Sequence, residues 1–240
     1  MTSEPVDGGK ASAEEEVLAE RVGQDLPPDL RLQILTTEHW SLLSTRSLSW
    51  NEAFSRATMF LGVLSGAVLA LALVAQASGF DEGFTTFALL ILPVVLFVGV
   101  ATFMRLVAIN REDVGWVIGM NLLRHAYLAS APELRRYFVT GSSDDEAGIM
   151  ATFGARPGPG SFVHQLVTTP GVLAVLDGVV AGVLLGILTM RARWDDVIGI
   201  GVAVAGALAT VALQLIYQYR GVVRPRGGTP ARFPEPPTSP

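Results

Sequence analysis

The chain has 240 residues, 50% of them hydrophobic, with a formal charge of -5 and no cysteine; its mean hydropathy is +0.44. An acidic balance without a basic stripe leaves nothing to neutralise phosphates, so nucleic acid is not an expected partner. The absence of thiols excludes disulfides, thiolate metal sites and cysteine nucleophiles together.

Residues 1–30 are polar and acidic, with Glu14, Glu15, Glu16 and Glu20 and a Pro27-Pro28 pair. They read as a disordered tail, in which Ser12 and Glu15 have the spacing of a capping box for a short helix over 13–22. No secretory leader is visible, so the first membrane span is expected to act as the signal anchor. From Thr36 the pattern turns helical. Trp40, Leu43, Ser47, Trp50, Phe54, Ala57 and Leu61 follow alternating spacings of three and four, one seam that runs directly into an apolar stretch. This predicts a single long helix, amphipathic first and membrane-embedded afterwards.

Four uncharged or nearly uncharged runs follow, at about 57–79, 84–104, 170–190 and 197–216. Each reaches the ~20 residues that cross a ~30 Å hydrocarbon core as a helix. Pro93 interrupts the second run and is a candidate hinge. Past Arg105 a stripe of Ile109, Trp116, Met120, Leu123 and Tyr127 continues that helix beyond the membrane. Ser130 with Glu133, and Ser143 with Glu146, read as starts of short helices, the second ending near Gly154. Arg156–Gly160 reads as a linker, and Thr169-Pro170 as the N-cap and first residue of the third span. The proline-rich residues 221–240 read as an extended or disordered tail. The two apolar stripes outside the membrane require a partner: each other, a second copy, or the membrane surface.

Basic residues set the orientation. With both ends inside, all of the 17 Lys and Arg residues except Arg191 and Arg193 are cytoplasmic. The reading is therefore a cell-membrane protein with cytoplasmic N- and C-termini. Trp194, Tyr217 and Tyr219 fall at the boundaries as interfacial anchors.

Asp177 is the informative polar residue, roughly 10 Å into the third span at 1.5 Å per residue. A charge near a helix centre costs ~2.5–3.5 kcal/mol, which the flanking Val, Leu and Ile residues offset at ~0.3–0.6 kcal/mol each. It is either a proton, cation or substrate site or a structural acid bonded to a neighbouring helix. Gly178, Gly182 and Gly186 form a small-residue row, and Gly62, Gly66 and Ala70 repeat it in the first span, as do Gly201, Ala205 and Ala209 in the fourth. Such rows let helix backbones approach, within one chain or between chains. His39, His125 and His164 have no ligand-spaced partners, the runs Arg111-Glu112-Asp113 and Asp144-Asp145-Glu146 read as solvated faces or helix starts, and no nucleotide-binding or hydrolase motif occurs. Neither a cofactor nor an enzymatic activity is expected.

The segment Leu35–Arg56, LTTEHWSLLSTRSLSWNEAFSR, with FLGVLSGAVLALALVAQ after it, resembles a family of four-span bacterial membrane proteins common in actinobacteria. LPVVLFVGVATFMRLVAINREDVGWVIGMNLLRHAY and FVTGSSDDEAG fit the same family, so the likeness covers most of residues 35–217. It implies the four-span layout and carries no activity or binding residue. The layout is also similar to that of SLATT-type membrane effector domains, whose two spans and cytoplasmic helices are predicted to form pores; the second pair of spans departs from them. The expectation is an all-α four-helix transmembrane bundle, with spans one and two prolonged into a cytoplasmic helical layer and residues 105–168 inserted between the span pairs. Its partners are the lipid bilayer and further copies of itself. A non-enzymatic scaffold or assembly protein is the leading functional expectation, and an oligomeric channel, pore or small transporter using Asp177 is the alternative.

Overall fold

A computed structural model describes residues 26–154, 166–222 and 230–234, and every regular element among them is helical. The elements are α1 (Pro28–Ser78), α2 (Glu82–Ser130), a 3-10 helix (Pro132–Tyr137), α3 (Glu146–Phe153), α4 (Thr169–Arg191) and α5 (Asp196–Val222). Helices α1, α2, α4 and α5 are each long and apolar enough to cross a membrane. The expected short helix at 13–22, the Arg156–Gly160 linker and His164 lie outside the described residues.

Helix α1 runs for 51 residues without a break. At 1.5 Å per residue that is about 77 Å, against a hydrocarbon core of ~30 Å, so α1 and its partner α2 project far beyond the membrane. The two lie antiparallel along their whole length: Phe60 and Ala67 share a core with Ala88, Leu92 and Val95, Leu42 packs against Val117 and Met120, and the Tyr127 hydroxyl donates to the Leu35 carbonyl at 2.9 Å. Asp81 closes the turn by accepting from the Phe84 amide at 2.9 Å, a bond that lowers its pKa. Helices α4 and α5 form a second hairpin, and α4 packs on α2, so the order across the bundle is α1, α2, α4, α5. Arg191 reaches Glu82 at 3.6 Å, which places both short connections at the same face.

Several boundaries differ from the sequence reading. Helix α1 starts at Pro28, inside the expected tail, because a proline in the first turn has no amide to leave unpaired. The third span is capped by Thr168 rather than Thr169, its side chain accepting from the Gly171 amide at 3.3 Å. Ser130 caps nothing: its hydroxyl donates to the Ala126 carbonyl inside α2, and the 3-10 helix follows from Ala131. Asp145, not Ser143, caps α3, whose end at Gly154 has the left-handed φ of 64° that glycine adopts without strain. Residues 230–234 belong to the tail expected to be extended or disordered, yet they are bound to the loop before α3.

Candidate functional site

The face of α1 that meets α2 carries Leu35, His39, Leu42, Arg46, Ala53, Phe60, Leu64, Ala67 and Leu71. Their spacings of four, three and seven trace a heptad seam, the geometry of two helices crossing at about +20°. The seam expected from the sequence, Trp40 to Leu61, lies one residue further on and so about 100° round the helix. Apart from the buried Ala57 it is an outer face, with Trp40, Leu43, Trp50, Phe54 and Leu61 all exposed. Between Trp40 and Ser65 this face carries the uncharged exposed residues Ser41, Ser44, Ser47, Leu48, Asn51, Ser55, Thr58 and Gly62, while the exposed Arg56 lies at its flank, paired with Glu52. The α2 stripe fares differently: Ile109 and Met120 are buried and Trp116, Leu123 and Tyr127 half-buried.

Charges sit inside the α1–α2 seam instead. Arg46 donates from two nitrogens to the two oxygens of Asp113, at 2.6 and 3.1 Å, and Asp113 is buried rather than solvated. Nearer the membrane, Arg105 donates to both oxygens of Glu52 at 2.9 Å and to Glu112 at 2.8 Å. The bonds from Arg105, then from Arg56, lower the Glu52 pKa to about 2, and the same pairing raises that of Arg105. At the far end His39 stacks on Tyr127, centroids 5.8 Å apart. Burial, and then the charge of Arg124, lower its pKa from the usual 6.5.

Asp177 lies where all four spans meet. It is fully buried on α4 and accepts from the Gln214 side chain of α5 at 2.9 Å. Gly99 of α2 lies directly against it; a methyl group there would overlap the Asp177 carboxyl and come within 2.8 Å of the Phe60 ring of α1. One turn further along α5 this polar line continues, since Gln218 donates to Thr168 Oγ1 at 3.2 Å. Asp177 Oδ1, Gln214 Oε1 and Gln218 Oε1 are buried without a hydrogen-bond donor among the described residues. Gln214, Gln218 and Gly99 were not singled out in the sequence. The two glutamines, four apart at the end of an apolar run, were the available signal.

The glycine rows separate into two kinds. Added side chains at Gly178 and Gly182 would come within 2.9 Å of the Ala207 and Ala203 carbonyl oxygens, so these residues seat α4 on the backbone of α5, while one added at Gly186 would lie 3.5 Å from the Ala203 methyl, in ordinary contact. Among the described residues, no neighbouring element comes within 4 Å of a side-chain carbon added at Gly62, Gly66 or Gly201. Ala205 and Ala209 are likewise exposed, and α5 presents Ala203 and Ala207 to α4 in their place. Pro93 is exposed on the outer surface of α2, which continues through it as one helix. No protein-family model, curated protein sequence or solved structure matches the chain.

Proposed function

We propose that this is a non-enzymatic scaffold of the cell membrane, both termini cytoplasmic, which assembles with further copies of itself through α1. One observation carries the reading: a single uncharged face of α1 is left uncovered both in the membrane, at Gly62 and Gly66, and beyond it, at Trp40, Leu43, Trp50 and Phe54. Lipid headgroups can cover Trp50 and Phe54, which lie close to the span. Trp40 is about 25 Å along the helix from residue 57, beyond their reach. A partner covering the whole face must therefore stand beside α1 in both media. A parallel second copy does so without opposing like charges, and offers the same small residues to the same close approach.

The chain's lack of cysteine makes the test clean. Single Ser47→Cys and Gly62→Cys variants in membranes should each give a disulfide-linked dimer under mild oxidation, while Leu208→Cys on the exposed side of α5 should not. No dimer at either α1 position, with a monomer mass in nanodiscs by native mass spectrometry, would sink the proposal.

The alternative, a channel or small transporter, draws support from the three donorless buried oxygens around Asp177, since such groups in native proteins generally have a partner. It requires proton or cation flux into proteoliposomes that is lost in Asp177→Asn. Wild-type vesicles that hold their gradient would remove it.

A further inference from the structure

The acidic run before α3 is not uniform in what it does. Asp145 caps the helix. Asp144, 1% exposed, accepts the successive backbone amides of Arg232 and Phe233, one on each carboxylate oxygen, at 3.0 and 2.9 Å. Its own amide donates to the Phe233 carbonyl at 3.4 Å, so both backbone polar groups of Phe233 are held by one residue. The Phe233 ring lies flat on His125 of α2, centroids 4.1 Å and planes 18° apart.

The receiving side is built independently of this segment. Asn121, fully buried on α2, donates to the Ser143 carbonyl at 2.8 Å and accepts from Thr152 and Arg124. The Gly141 amide donates to Thr152 Oγ1, and a side chain on Gly141 or Gly148 would overlap the backbone opposite. The loop that carries Asp144 is thereby tied to α2, which carries His125. A cavity of about 470 Å³ continues the groove past Phe138, Ser142 and Pro234.

The bound segment suits capture as an extended strand. Phe233 precedes Pro234, which holds it out of the helical region, so docking costs it little conformational freedom. Main-chain bonds to a carboxylate supply affinity and the stacked ring supplies selectivity. Phe233 keeps 43% of its surface exposed, since only one ring face is covered, which makes the contact exchangeable.

We infer that the groove of Asp144 and His125 is a peptide-recognition site for an Arg-Phe-Pro segment, filled in cis by the chain's own residues 230–234 and open to the same segment from another chain when that one is withdrawn. Residues 223–229, which link α5 to the segment, span at most ~25 Å. A ligand tethered so closely acts at an effective concentration in the millimolar range, and therefore masks the site.

The test uses the full-length chain in nanodiscs and a fluorescent peptide of residues 229–236. Phe233→Pro removes both the ring and the donating amide from the internal segment. That variant should bind the peptide at least tenfold more tightly than wild type, and a peptide with Ala in place of Phe should not bind. Adding Asp144→Ala to the variant should abolish binding. Should that pair fail to fold, hydrogen exchange on wild type supplies the second reading: the amides of Arg232 and Phe233 should be protected, and excess peptide should release them. Equal binding by wild type and Phe233→Pro, equal binding of the Phe and Ala peptides, or unprotected amides would overturn the inference.

Discussion

Helices α1 and α2 are nearly equal, 51 and 49 residues, yet three residues of α1 are buried against fourteen of α2. The difference is positional. Helix α2 takes α1 on one side and α4 on another, and beyond the membrane it also supports the 3-10 helix and α3. Among the described residues, helix α1 packs chiefly on α2. Its covered face includes His39 and Arg46, while two tryptophans and a phenylalanine remain outside. Apolar periodicity therefore marks a face that wants covering, not the face that the same chain covers.

Substitutions can break this contrast at either helix. Arg46→Ala strands the buried Asp113 carboxylate and should destabilise the hairpin by about 3–5 kcal/mol, measured by thermal unfolding in detergent; removing both charges as Arg46→Met with Asp113→Leu should restore much of the loss. Gly99→Ala forces a methyl into the Asp177 carboxyl and the Phe60 ring, and the overpacking should cost ~1–3 kcal/mol. A third effect is pH-dependent. Because the Glu52 pKa falls from 4.5 to about 2 on pairing, its contribution is complete above about pH 4.5 and drains away as pH falls toward 2. Glu52→Gln should flatten that part of the acid-opening curve, followed by hydrogen exchange around residues 50–56. Smallest in stability are changes on the outer face: Trp50→Ser and Gly66→Val should leave the monomer within ~0.5 kcal/mol, yet reduce the cross-linking of Ser47→Cys. Equal destabilisation by the inner and outer sets would erase the contrast.

The spans were legible because a run of ~20 apolar residues has few other uses, and because Arg56, Arg105, Arg191 and Arg220 bound the runs sharply. The cap residues were harder, since Thr168 and Thr169 are chemically equivalent and only the backbone angles choose between them. The α1 seam was misplaced because its true members include His39 and Arg46, polar residues whose burial depends on Tyr127 and Asp113 far along the chain. Asp177 stood out as an acid in an apolar run, but its contact with Gln214 depends on the relative rotation of two helices. The glycine rows look alike as text. What separates Gly178 and Gly182 from Gly62 and Gly66 is α5, which is seated on the first pair and not on the second.

The unbroken course of α1 has a mechanical corollary. No hinge, proline or glycine pair divides its aqueous half from its lipid half, so the two turn as one shaft. A neighbour that grips Trp40 fixes the azimuth at which Gly62 meets the lipid, and lipid or a neighbouring span that rotates Gly62 swings the tryptophans through the same angle. The helix thus behaves as a torsion rod through the bilayer surface, and any partner must satisfy both ends in a single phase.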